Sequence, residues 1–131
     1  GITVMGENRV QEATPKVAAL PYVEWHLVGQ LQGNKAGRAI ELFDVIESID
    51  TLGLAERLSR LAAGRTVRGL LQVNVDDDPA KAGFSEATLR TTYEVSSSIT
   101  AKPARRISGP SSASSFACTV RASARSAGPA G

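Results

Sequence analysis

The sequence predicts an α/β fold on parallel strands, either part of a (β/α) barrel or an open doubly wound sheet. Short apolar runs alternate with helix-periodic segments in the order β-α-β-α-β-α-β-α, the connections are short, and the last strand is apolar almost throughout. Strands separated by helices pair in parallel through crossovers, and a strand covered on both faces reads as a near-continuous apolar run. With 131 residues and 42% hydrophobic content the chain supports one core. A full eight-stranded barrel needs roughly 200 residues or more, so about four βα units are expected.

Ile2 to Met5, ending in Gly6, is the first strand. From Asn8 the spacing of Val10, Ala13, Val17 and Leu20 predicts a helix. Pro15 is expected to break or restart it after about two turns, because proline lacks the N–H and its ring crowds the preceding turn. Pro21 closes that segment, and Trp25 to Gly29 is the second strand. Asn34 is placed to cap a helix whose Ala36, Ile40 and Phe43 share one face. Val45 to Ile49 forms the third strand. Leu54, Leu58 and Leu61 make an apolar stripe on a helix that Gly64 ends, with Glu56 and Arg60 at the supportive i, i+4 spacing. Val67 to Val75 is the fourth strand, carrying Leu70, Leu71, Val73 and Val75. A helix capped by Ser85 is expected to follow to about Val95.

Beyond about Ser96 the periodicity stops. Ala, Ser, Arg, Gly and Pro dominate, and Ile107, Phe116 and Val120 bury too little area to offset the entropy of ordering. The chain therefore divides into an ordered part, residues 1–95, and a low-complexity basic tail, residues 96–131, expected to be disordered from about residue 100. Before position 101 stand thirteen acidic and ten basic residues, a net charge of −3, whereas Lys102, Arg105, Arg106, Arg121 and Arg125 give the remainder +5. The pI near 9.0 thus describes the tail. The single cysteine, Cys118, excludes an internal disulfide and a Cys-based zinc site, pointing to a reducing compartment. No apolar run approaches the ~18 residues of a membrane span, and Gly1-Ile2-Thr3-Val4-Met5 has no signal-peptide pattern. A cytoplasmic protein with no membrane partner is expected.

Two runs place polar groups directly after strands, where parallel α/β folds hold ligands: Gly6-Glu7-Asn8-Arg9-Val10-Gln11-Glu12, and Trp25 to Lys35. Strand alternation sets His26 against Trp25 and Leu27, and Gln72 and Asn74 against Leu71, Val73 and Val75. If the apolar sets face the helices, His26, Gln72 and Asn74 point to the sheet's other side, where they either bond one another or line a polar pocket. Lys35 and Lys81 each follow a strand end and fall in a strand-to-helix connection. Either alone could be a solvated surface lysine; two on one rim would favour an anionic ligand beside helix N-termini.

Other motifs fail on spacing or chemistry. Gly29 to Lys35 has three residues between its glycines where a phosphate loop has four, Asn34 separates Gly33 from Lys35, and Ala36 replaces Ser or Thr. No Gly-x-Gly-x-x-Gly occurs. Asp76-Asp77-Asp78 before Pro79 is more simply a solvated turn than a Mg²⁺ site. One histidine allows no multi-histidine metal centre.

The runs GENRVQEA (Gly6 to Ala13), EWHLVGQLQGNK (Glu24 to Lys35), FDVIESIDTLGLAERL (Phe43 to Leu58) and LLQVNVDDDPAKAGF (Leu70 to Phe84) resemble the pyridoxal-phosphate homeostasis proteins, whose fold is similar to the barrel domain of alanine racemase. The resemblance implies a partial TIM-type (β/α) barrel, about the second to fifth of eight βα units. It also implies a cytosolic protein that binds pyridoxal 5′-phosphate (PLP) and keeps this reactive aldehyde at safe levels without established turnover. Carried over by position, Asn8 and His26 would line the cofactor cleft, Asn74 would project into it, Lys35 matches the Asn-Lys that opens a helix, and Lys81 matches the Lys-x-Gly lysine. The family's Schiff-base lysine lies upstream of the Gly-Glu-Asn run, and its phosphate-binding strands lie beyond Phe84. This chain begins too late to include that lysine, and from Thr91 onward it reads as unrelated sequence, as expected of a shifted coding frame or a truncated gene, so binding is expected to be impaired in this form.

Two further functions follow from single features. A PLP-dependent racemase or decarboxylase on the same barrel would need that lysine and an acid–base pair. The basic tail could associate weakly with nucleic acid, but Phe116 is isolated and no recognition element accompanies it, so no specific nucleic acid is expected. Open sheet edges predict self-association.

Overall fold

The computed structural model of the chain describes residues 1–63, 65–89, 99–101 and 113–121, the last two segments as strands. The elements are β1 (Val4–Glu7), α1 (Val10–Ala19), β2 (Glu24–Leu27), α2 (Ala36–Leu42), β3 (Val45–Ile49), α3 (Leu52–Ala62), β4 (Thr66–Asn74), β5 (Ile99–Ala101) and β6 (Ala113–Arg121). β1 to β4 pair in parallel in chain order, and the whole sheet runs β1-β2-β3-β4-β6-β5. A doubly wound sheet reverses direction at a switch point; β1 to β4 add one after another, as in an arc of a barrel.

Burial supports the arc. Trp25, Leu27, Ile46, Ile49, Val67 and Leu71 pack with Val10, Ala13, Ala36, Ala39, Leu54 and Leu58 in one core. On the opposite face Glu24, His26, Glu47, Gln72 and Asn74 are half-buried, and Val28 and Arg68 are exposed. The helices thus cover one face of the sheet. β4 was expected to be covered on both; instead its burial alternates residue by residue, with Leu70 half-buried and Val75 beyond the strand 48% exposed. The inner face of a barrel arc meets no helix.

Local details depart from expectation for identifiable reasons. α1 runs unbroken through Pro15. One N–H is lost there, and the buried Val10 and Ala13 hold the helix to the core despite it. Asn34 is not a cap: it lies within a 3-10 turn (Gly33–Lys35) that leads into α2, with Lys35 N–H donating to Gln32 O at 2.9 Å. In α3 the buried stripe is Leu54, Ala55, Leu58, Ser59 and Ala62, which leaves Leu61 at its margin, 41% exposed. α3 begins at Thr51, whose Oγ1 accepts from Leu54 N at 3.2 Å, and ends at Ala63 in the left-handed region (φ 49). Gly64 lies outside the described residues. Ser85 Oγ accepts from Thr88 N at 3.1 Å and caps a helical turn over residues 86–89; the rest of the helix expected to reach Val95 lies outside the described residues.

The largest departure concerns the tail, where no strand was expected. β6 runs antiparallel to β4 over its full length, from Thr66 opposite Arg121 to Asn74 opposite Ala113, and β5 pairs with β6. An unpaired β4 edge would expose a row of N–H and C=O groups, and backbone pairing asks for no hydrophobic periodicity. In the parallel arc, β1 keeps an edge without a neighbouring strand among the described residues.

Candidate functional site

At the end of β1, Glu7 is buried, 9% exposed. Its carboxylate accepts from Asn8 N at 2.8 Å and Arg9 N at 3.3 Å and ion-pairs with Lys16. It therefore closes the entry to α1 that the sequence leaves without a capping side chain. The Lys16 hydrogen bond holds the carboxyl below its ordinary value of 4.5, against burial, and the two N–H groups add to the lowering. A depressed carboxyl contributes stability above its unfolded pKa and loses it as pH falls through the folded value. The thermal midpoint is accordingly expected to fall on acidification from about pH 5 to about pH 3. Glu7→Gln should start lower and lack that part of the fall; parallel pH curves for the two proteins would refute the assignment.

The end of β2 is drawn onto β1. Val28 N donates to Glu7 O at 2.9 Å, and Gly29 lies against the Asn8 backbone: a Cβ there would stand 2.7 Å from Asn8 C and 2.8 Å from its Cα, overlapping the carbonyl oxygen. The loop that follows is fastened at three points. Ser48 Oγ donates to Gly29 O at 2.7 Å, Gln30 Nε2 to Asp50 Oδ2 at 3.2 Å, and Arg57 Nε to Gly33 O at 2.7 Å. The two loops enclose a cleft of about 440 Å³ lined by Asn8, Arg9, Gln11, Gln30, Gln32 and Lys35, with Val10 and Glu12. Arg9 also pairs with Glu12 at 3.1 Å.

Asn74 and Lys81 sit apart from that cleft, at the end of β4 and in the loop after it. Asn74 Nδ2 donates to Asp78 O at 2.7 Å and Lys81 O at 3.3 Å, while its Oδ1 accepts from Asp78 N at 3.3 Å. Lys81 pairs with Asp76 at 2.8 Å, and that hydrogen bond raises its pKa above the ordinary value. Gly83 lets the loop return: at φ +127 its missing Cβ would otherwise stand 2.9 Å from Asn74 N. Asp78 Oδ1 accepts from Ala80 N at 2.9 Å, so the acidic run builds a turn. Among the described residues no group of three or more His, Cys, Asp and Glu could hold a metal ion, and no helix is long and apolar enough to cross a membrane.

His26 lies on the inner face, opposite to the buried Trp25 and Leu27, as alternation predicts. Its partners are neither Gln72 nor Asn74 but two acids: Nδ1 is 2.6 Å from Glu47 Oε1 and Nε2 is 2.8 Å from Glu24 Oε1. Burial disfavours the charged ring, but Glu47 and Glu24 outweigh it and raise the pKa. Glu24 in turn is held low by His26 and then Arg68, 3.1 Å away.

The five residues singled out in the sequence thus fall into three groups: Asn8 with Lys35, Asn74 with Lys81, and His26 among carboxylates. Sequence reasoning missed Glu7, Lys16, Glu24, Glu47 and Ser48 as builders of the site. Glu47 and Ser48 could have been flagged as polar residues inside an otherwise apolar strand. The cleft presents carboxamides and cations, a donor set for a small anionic molecule.

No protein-family model matches the sequence. Among curated proteins, the chain is 39% identical over 95 residues to the pyridoxal phosphate homeostasis protein of Synechocystis, covering 69% of this chain and 44% of that protein. It is 34% identical over 111 residues to the protein of the same name from Escherichia coli K12, covering 79% and 46%. Among solved structures, PipY of Synechococcus elongatus without PLP superposes with a TM-score of 0.63 at 51% identity, over 68% of this chain and 44% of that one. The PLP-bound form of PipY gives 0.53 at 45% identity, over 66% and 42%. The chain therefore spans a little under half the length of the relatives it matches.

Proposed function

We propose that this chain is part of a pyridoxal phosphate homeostasis protein, like the relatives it matches, and that its β1 to β4 arc forms one wall of a PLP cleft. Asn8 and Lys35 stand at its polar rim, Asn74 and Lys81 on the β4 loop, and His26 on the inner face. The observation that carries this reading is the convergence of the Gly-Glu-Asn and Gln-Leu-Gln-Gly-Asn-Lys runs on one cleft at the C-terminal ends of β1 and β2. The donor set fits a phosphorylated pyridine: Lys35 offers positive charge, Arg9 being paired with Glu12, and Asn8, Gln30 and Gln32 offer amide groups. When bound, PLP supplies a reactive aldehyde, and the task of these residues is to hold and shield it.

The relatives are named for homeostasis rather than for a reaction, and the chain is read as a cytoplasmic cofactor-binding protein without turnover. Residues 1–95 carry the binding wall, and residues 96–131 form a compositionally separate appendix. Among the described residues β1 is the edge of the parallel arc, and that edge is the place where copies would associate.

Equilibrium dialysis of the full chain against PLP tests the proposal. Saturable retention is expected, with Lys35→Ala weakening it about tenfold. Lys81→Ala should have a smaller effect, because Asp76 already holds that ammonium. No retention, or retention indifferent to Lys35→Ala, would remove this cleft as the site.

A further inference from the structure

We infer that His26 is a positioning residue rather than a cofactor contact: its proton locks β2 to β3 and sets the charge that an anionic ligand meets on the inner face. Both ring nitrogens face carboxylate oxygens, at 2.6 Å from Glu47 and 2.8 Å from Glu24. Ionised carboxylates only accept, and a neutral imidazole has one N–H to give, so only the imidazolium makes both bonds. The ring then has no nitrogen left for a ligand.

The cluster extends further. The second oxygen of Glu24 takes Arg68 at 3.1 Å, so Glu47, His26, Glu24 and Arg68 form a continuous chain across β3, β2 and β4. β1 presents Gly6 in register with His26, its one titratable residue, Glu7, being paired with Lys16 of α1; β2 presents Glu24; β3 presents Val45 in register and Glu47; β4 presents Arg68 opposite Val45. With the proton on, two acids balance two bases. Without it the face carries one net negative charge, and two carboxylates compete for a ring with a single N–H.

The connection to the cleft runs along the same strands. Glu47 precedes Ser48, whose hydroxyl holds Gly29 O, and the loop from Gly29 carries Gln30, Gln32 and Lys35. Losing the proton therefore loosens the β2 and β3 pairing beneath that loop and adds repulsion for an anion. Both effects weaken anion binding as pH rises. Because the ring's pKa is raised, the clamp is intact below the ordinary value of 6.5 and fails as pH rises through the higher folded value.

The ligand half of this inference rests on the cofactor reading; the clamp itself does not. The chain has one histidine, so its imidazole ¹H–¹³C NMR signal is assigned without further work. The midpoint is expected above 6.5 in the wild type and lower in Glu47→Gln and Glu24→Gln. A wild-type midpoint at or below 6.5 overturns the clamp. PLP affinity, measured by dialysis across the same pH range, is expected to fall about three- to fivefold through the NMR midpoint. In Glu47→Gln that fall should move down with the midpoint. A fall at the same pH in both proteins belongs to the ionisation of PLP and overturns the coupling. No retention at any pH removes the cofactor reading and the ligand half with it, while the NMR midpoint still decides the clamp.

Discussion

Gly29→Ala is expected to destabilise the chain by about 3 kcal/mol, the upper end of overpacking effects, because the new methyl group meets backbone rather than a side chain that could rotate away. It would stand 2.7 Å from Asn8 C and 2.8 Å from Asn8 Cα, inside any carbon contact distance. Relief requires parting β1 from β2 at the point where Val28 N meets Glu7 O, or abandoning the Ser48 bond to Gly29 O. Either movement displaces Asn8 and Gln30 from the cleft, so PLP retention should fall with stability. Circular dichroism would register the change as a thermal midpoint lower by roughly 10 °C or more. Gly37→Ala is the control: nothing lies within 4 Å of its Cβ position, it sits in α2, and alanine favours helix, so its midpoint should hold or rise. Equal midpoints for Gly29→Ala and the wild type would mean that the two loops do not approach so closely.

Trp25→Ala should cost about 4 kcal/mol, within the range for deleting a large buried aromatic side chain. Trp25 is 2% exposed, its ring packs in the core shared by α1, α2 and the sheet, and its Nε1 donates to Leu20 O at 3.1 Å. Truncation removes the apolar contacts and leaves that carbonyl without its partner. Against a domain stability of roughly 5–15 kcal/mol this is a large fraction. Trp25→Phe, which retains most of the ring area and loses the N–H, should cost clearly less. Urea unfolding followed by circular dichroism separates the two. A loss under about 1 kcal/mol for the alanine variant would mean that the core does not depend on this side chain.

Much of the arc was legible in the sequence because burial on a single face imposes a pattern. β3 was expected at Val45–Ile49 and is found there, since apolar residues on a short central strand leave little choice of boundary. His26 faces away from Trp25 and Leu27 because alternation of side chains is a local property of any strand. The barrel arc could not be told from a doubly wound sheet by pattern alone, since both alternate strand and helix. The order β1-β2-β3-β4 and the uncovered inner face distinguish them. The partners of Gly29, Ser48 and Glu47 were opaque for a related reason: each lies 19 or 21 residues away in sequence, and no local spacing reports such a contact.

The parallel βα units, their apolar faces, and the polar runs that end β1 and β2 follow from residue order alone, because they depend on periodicity and on residue chemistry within one element. Which polar residues meet depends on how the strands pack. Packing brings Asn8 and Lys35 to the lining of one cleft, keeps Asn74 and Lys81 in a turn of their own, and places His26 between Glu24 and Glu47. It also laid β6 along β4, where backbone pairing needs no side-chain signal. Distance between strands is set by the sheet, and charges that neighbour one another only across the sheet leave no trace in the order of residues along the chain.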